Sequence, residues 1–194
     1  MTEVDRDAIV DTALELFVAN GYGSTTLADI ASVHGLQPGV ITAEFPDKES
    51  FVLAVVDAMF AAVFEELAKA PQTQDLVAGL LAAHQSAAGR IIAGEGPVPL
   101  LRMHRMGRVI ATNPAVAQAV SVHRKRVLAH GLADRRGVAQ DDPQIAKAVT
   151  VWSAIMASTY AAAIHDQDEP DPFAMDLTTR RLDRTYHLVR RVDP

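Results

Sequence analysis

The stretch from Thr26 to Lys48 constrains the fold more than any other part of the chain. Thr26 followed three residues later by Asp29 is a helix-capping pattern, and Leu27, Ile30 and Ala31 then recur on one helical face. Gly35 supplies a stop. Pro38 fits the first turn of a second helix, where its missing N–H costs nothing. Val40, Ile41 and Phe45 are placed to close a small core, and Asp47 opens the next helix. Two short helices about a glycine turn make a helix-turn-helix, a motif that lays one helix in the major groove of DNA.

The same region carries almost no positive charge. Across residues 1–50 the bases are Arg6 and Lys48, against Glu3, Asp5, Asp7, Asp11, Glu15, Asp29, Glu44, Asp47 and Glu49. The net charge of −6 is therefore concentrated where DNA would be met. Non-specific DNA affinity comes largely from neutralised phosphates, so the motif and the charge point in opposite directions.

Helical spacing continues on both sides of this stretch. Thr2 and Asp5 read as a capping box ahead of Ile9, Ala13, Leu16 and Phe17, a first helix ending at Asn20-Gly21. A long fourth helix runs from Asp47 to about Ala70, with Phe51, Val55, Met59, Val63 and Leu67 at four-residue steps. Further helices are predicted at about 74–93, 99–111, 114–136, 143–165 and 173–191, with an acidic, proline-broken loop at 166–172. No strand-like alternation is sustained. The fold class is all-α with nine helices: an N-terminal three-helix domain over residues 1–50 and a C-terminal helical domain over 51–194.

Composition removes several functions. The chain has no cysteine, which excludes disulfides and thiolate chemistry. Its acidic N-terminal stretch is unlike a signal peptide, and the apolar run Ala148–Ile164 falls short of the ~20 residues that span a bilayer. The expectation is a cytoplasmic protein without membrane contact. None of the seven histidines forms a His-x-x-x-His pair, so no metal is expected, and no cofactor. There is no nucleophile elbow, glycine-rich phosphate loop or placed carboxylate pair, so no enzyme is expected.

Ile9-Val10, Ala13, Leu16-Phe17, Gly21-Tyr22, Thr25-Thr26, Ile30-Ala31, Gly35, Gly39, Phe45 and Lys48-Glu49, at these spacings, resemble the tetracycline-repressor (TetR) family over about the first 50 residues. The resemblance implies a homodimer whose two helix-turn-helix units enter adjacent major grooves of double-stranded DNA. It also implies a C-terminal domain that dimerises and holds a small-molecule effector. On this reading Ser24, Thr25, Thr26, Gln37, Pro38, Gly39, Thr42 and Lys48 are the DNA-binding residues. Thr25 and Thr26 start the second helix near phosphate, and Lys48 meets the DNA backbone. The departures cluster on the recognition helix: Pro38, Thr42, Ala43 and Glu44 stand where basic, polar or tyrosine residues are common in the family. Binding with so few charges would be weak and would show a shallow salt dependence.

The predicted helix at 143–165 is apolar all round and needs cover on every side. Its small arc, Ala154, Ser158 and Ala161, lets a second helix approach closely, as in a four-helix dimer interface; a central helix in a monomer core is the alternative. The candidate ligand pocket is His84, Met103, His104, Met106, Trp152, Met156 and Tyr160, a soft set that would equally suit plain core. Arg102, Arg105 and Arg108 share an arc and read as an anion clamp at the pocket mouth or as a solvated face. A loose resemblance of this region to TetR proteins that bind acyl-coenzyme A implies an anionic or acyl-bearing effector. The function expected is a one-component DNA-binding repressor released by a small apolar or amphipathic effector. The alternative is a ligand- or protein-binding dimer of the same fold with little DNA affinity.

Overall fold

The computed structural model describes residues 5–71 and 75–165, with side chains as far as position 157. Eight helices form among them: α1 (Arg6–Asn20), α2 (Leu27–Val33), α3 (Pro38–Glu44), α4 (Glu49–Ala68), α5 (Leu76–Ile92), α6 (Leu100–Thr112), α7 (Pro114–Arg136) and α8 (Pro143–His165). No strand occurs among the described residues, and the fold is all-α. The ninth helix expected at 173–191 lies outside the described residues, as does the loop before it.

The helix ends follow local chemistry. Asp5 caps α1 by accepting from the Ala8 N–H at 3.1 Å. The helix therefore starts at Arg6; Thr2, the other half of the expected box with Asp5, lies outside the described residues. Thr26 and Asp29 form the full reciprocal box at α2. At its other end Gly35 takes φ +62°, the Gly35 N–H reaches Ser32 O and the Leu36 N–H reaches Ala31 O at 2.9 Å. This closure needs a left-handed residue after the cap, which glycine adopts without steric cost. Gly94 and Gly137 end α5 and α7 in the same way.

The chain divides into two compact units, Met1–Ala58 with Val98–Arg124 and Met59–Pro97 with Lys125–Pro194. In the first unit Phe45 stacks on Phe51 with centroids 4.3 Å apart, and Phe17 meets Phe51 edge-on at 6.1 Å. Each such pair adds roughly 0.5–1.5 kcal/mol beyond its buried area. Ile30, Ala31 and Ile41 complete the core under α2 and α3.

Helix α6 packs along α1 in this unit, burying Met103, Met106 and Val109. Arg102 is 6% exposed. Its Nε and Nη2 donate to the two carboxylate oxygens of Asp11 at 2.7 and 2.8 Å, and its Nη1 lies 3.2 Å from Asp7 Oδ1. Arg105 pairs with Glu15 at 3.0 Å. Asp7, Asp11 and Glu15 recur every four residues and so form one carboxylate ladder on α1. The arginine arc was expected to clamp an outside anion or face solvent. Arg102 and Arg105 instead meet this ladder, because a buried guanidinium requires paired acceptors.

In the second unit Trp152, Leu80, Leu128, Leu132, Ile145 and Ile155 are fully buried. A Cβ at Gly131 would lie 2.2 Å from the Phe64 ring, so α7 approaches α4 at a position without a side chain. Glu66 accepts from Lys69 at 2.6 Å, Ser86 at 2.9 Å and Arg90 at 3.1 Å, tying the end of α4 to α5. Those three donors, Lys69 first, hold its carboxyl down at about 2. Among the described residues no helix is long and apolar enough to cross a membrane.

Candidate nucleic-acid interface and ligand recess

Helix α3 buries Ile41 and turns Pro38, Gly39, Val40, Thr42, Ala43 and Glu44 outward. Gln37 is its exposed N-cap residue and its side chain makes no capping bond. Thr42 donates its hydroxyl to Gly39 O at 3.2 Å. Ser24 is exposed in the turn before α2.

The remaining polar groups of the motif are engaged within the domain. Thr25 is buried, with its hydroxyl shared between Gly21 O at 3.0 Å and Leu16 O at 3.2 Å. Thr26 donates its hydroxyl to Asp29 Oδ2 at 2.7 Å and accepts from the Asp29 N–H at 3.1 Å. The Thr26 N–H and hydroxyl hold the Asp29 carboxyl below the usual carboxylate range. Lys48 donates to Tyr22 O at 2.6 Å and Thr25 O at 3.0 Å, with its ammonium 4.6 Å from the Tyr22 ring centroid. It braces the turn between α1 and α2, and two of its three N–H groups are used in doing so. His34 Nε2 lies 2.9 Å from Thr12 Oγ1 and fixes the end of α2 against α1.

Arg6 contributes the other base of the N-terminal region, and its Nε is 2.7 Å from Glu44 Oε1. The guanidinium lies 5.2 Å from the Phe45 ring centroid. Glu44 thus presents a paired carboxylate at the end of α3 instead of a bare charge. The residue tally of the first fifty positions overstated the acidity of the folded domain. Asp7, Asp11 and Glu15 face arginines of α6, about ninety residues away in sequence.

The second unit holds a small recess of about 10 Å³, room for about one water, lined by Met59, Phe60, Val63, His84, Ala87, Ala88 and Ile91. The Trp152 ring lies 5.7 Å from Phe60 and 5.9 Å from His84. Its indole Nε1 is buried and has no hydrogen-bond partner among the described residues. A buried N–H left unpaired costs roughly 1–3 kcal/mol.

The expected pocket set is distributed accordingly. His84 lines the recess, Trp152 touches two of its walls, and Met156 is buried in the same unit. Met103 and Met106 are buried in the first unit and His104 is half-buried on α6. Met59, Phe60, Val63, Ala87, Ala88 and Ile91 were missed; the helical stripes of α4 and α5 marked them as core, with no polar residue to distinguish a wall from a filled interior. Ala154 is exposed on α8, while the side chains of Ser158, Tyr160 and Ala161 lie outside the described residues.

Residues 9–55, which take in α1, α2, α3 and the start of α4, match the family described as bacterial regulatory proteins, tetR family. Over these residues the chain carries the N-terminal domain of the tetR family. Among its relatives, the HTH-type transcriptional regulator TcmR of Streptomyces glaucescens is 31% identical over 141 residues. That alignment covers 71% of this chain and 62% of TcmR, so the chain spans less than two thirds of the relative's length. Two solved structures share the fold. The complex of SmeT, from Stenotrophomonas maltophilia, with triclosan superposes with a TM-score of 0.57 at 19% identity, covering 96% of this chain and 91% of that one. Thermus thermophilus FadR, in complex with lauroyl-CoA, gives 0.52 at 21% identity, covering 95% and 92%.

Proposed function

We propose that this chain is a homodimeric transcriptional repressor that binds double-stranded DNA through α2 and α3 and is released by a small effector. The observation that carries the reading is the family-matched helix-turn-helix, whose α3 is anchored by Ile41 and turns its other side chains outward. Gln37, Pro38, Gly39 and Thr42 meet base edges, and Ser24 with the remaining Lys48 N–H meets phosphate. Thr25 and Thr26 act by holding the start of α2. The exposed Ala154, with Ser158 and Ala161, provides the dimer contact along α8.

Capture of host-genome fragments by the full-length protein at low salt tests the reading. Enrichment of a near-palindrome with two half-sites about one helical turn apart is the expected result. Fragments without a shared sequence would count against it.

An apolar or amphipathic effector with one acceptor for the Trp152 indole would have to widen this recess to enter, since the space now free is about 10 Å³. The anionic version loses support, because Arg102 and Arg105 face Asp7, Asp11 and Glu15. Trp152 is the chain's single tryptophan, so its fluorescence reports on this site alone. An effector that occupies the recess is expected to change that emission with the same midpoint at which DNA is released. Trp152→Phe should weaken effector binding about fivefold, through loss of one hydrogen bond. A release midpoint that leaves the emission unchanged would place the effector elsewhere.

A second reading has an observation of its own. Arg6 and Lys48 are both engaged inside the domain, which suits a ligand- or protein-binding dimer of this fold with little DNA affinity. Grafting basic residues at positions 43 and 44 separates the two. A gain from no binding to specific binding favours the second reading, and a mere strengthening favours the first.

A further inference from the structure

We infer that α3 reads its operator as A·T pairs, through thymine methyl groups and the adenine edge, and holds no side chain able to read guanine. The inference rests on the DNA-binding reading above and specifies the class of sequence recognised. In the major groove each base demands a different partner. Guanine presents two acceptors that suit Arg or Lys, cytosine a donor that suits a carboxylate, adenine a donor and acceptor that suit Asn or Gln, and thymine a methyl group.

Helix α3, Pro-Gly-Val-Ile-Thr-Ala-Glu, contains no Arg, Lys, Asn or Gln. The two cations nearest it in the motif lie off α3, Arg6 on α1 paired with Glu44 and Lys48 before α4 on two carbonyls of the α1–α2 turn. Glu44 is the last residue of the helix, whereas base contacts come chiefly from the first residues of a recognition helix. Its pairing with Arg6 also removes it as a cytosine reader.

What remains is a neutral and mostly apolar face. Val40 is 40% exposed although its neighbour Ile41 is fully buried. Pro38 and Ala43 are exposed beside it. Thr42 turns its hydroxyl back to Gly39 O, which leaves its methyl group as the outward chemistry. Gln37 precedes them with an amide that makes no capping bond, the right group for adenine. A glutamine amide at the N-cap, with an isopropyl group and a threonine methyl flanking buried Ile41, matches A·T pairs and matches neither guanine nor cytosine.

The test is selection of bound duplexes from a randomised pool with the full-length protein, followed by resynthesis of the best duplex with uracil for thymine at each half-site position. Uracil keeps every hydrogen-bonding group and removes only the methyl. Selected half-sites should be rich in A·T, and each contacted methyl removed should weaken binding about fourfold, the effect of exposing one such carbon. Val40→Ala, at an exposed position that leaves the core intact, should make one of those replacements cost nothing further. Half-sites with an invariant G·C pair under α3, or equal affinity for the uracil duplex, would overturn the inference while leaving DNA binding in place. Failure to select any duplex would overturn it together with the DNA-binding reading.

Discussion

Replacing Arg102 by Met is expected to destabilise the protein by about 2–3 kcal/mol at neutral pH. Removing one member of a buried ion pair usually costs roughly 3–5 kcal/mol, because the partner is left charged and unsolvated. Here the partners can recover water, since the Asp7 and Asp11 side chains are 74% and 40% exposed. The cost therefore falls below the usual range. For a chain of this size it corresponds to a melting temperature lower by roughly 5–10 °C. The Arg102 hydrogen bonds hold the Asp11 carboxyl below its ordinary value of 3.8. A carboxylate with a lowered folded pKa stabilises above its unfolded value, and that contribution is lost as pH falls through the folded one. The gap between wild type and R102M should thus be full at pH 7 and narrow near pH 3. Thermal unfolding of both proteins at the two pH values decides the matter, and equal stability at pH 7 would mean that α6 is held to α1 by packing alone.

Glu44→Gln is expected to raise DNA affinity by about tenfold or more at low salt. The change removes a negative charge from the end of α3 and releases Arg6 from a 2.7 Å ion pair. In a dimer, two freed guanidinium groups can each neutralise a phosphate, which steepens the log–log salt slope by about 0.9 per contact. The folded state should hardly notice, because the side chains of this pair are 57% and 50% exposed and such pairs contribute at most about 1 kcal/mol. Equilibrium binding at two or more salt concentrations gives both quantities. An unchanged slope would mean that Arg6 does not reach the duplex.

Signals confined to a few neighbouring residues were legible in the sequence. Thr26 with Asp29, Gly35, Gly94, Asp47 and Pro143 mark helix ends because caps and breakers act on backbone groups within one turn. The placing of the helix-turn-helix follows from them. The uses of Arg102, Lys48, Thr25 and Glu44 were not legible, although each residue was noticed. A helical repeat tells which face a charge occupies, but not which chain segment lies opposite. Arg102 finds Asp11 across 91 positions, and no local pattern encodes that meeting. Lys48 and Thr25 were read only as phosphate contacts, and the fold also gives both bonds to carbonyls around the α1–α2 turn. The recess escaped notice for a related reason: Met59, Val63, Ala87 and Ile91 carry the same apolar signal whether the space beside them is filled or open.

The central claim is that this domain holds DNA by hydrogen bonds and apolar contacts, with few ionic ones. The most direct test is the salt dependence of binding to the best operator fragment. With about one phosphate neutralised per protomer, the log–log slope should lie near −2, and certainly shallower than about −4. A slope of about −6 or steeper would contradict the account, because it would require basic groups that the structure shows engaged elsewhere.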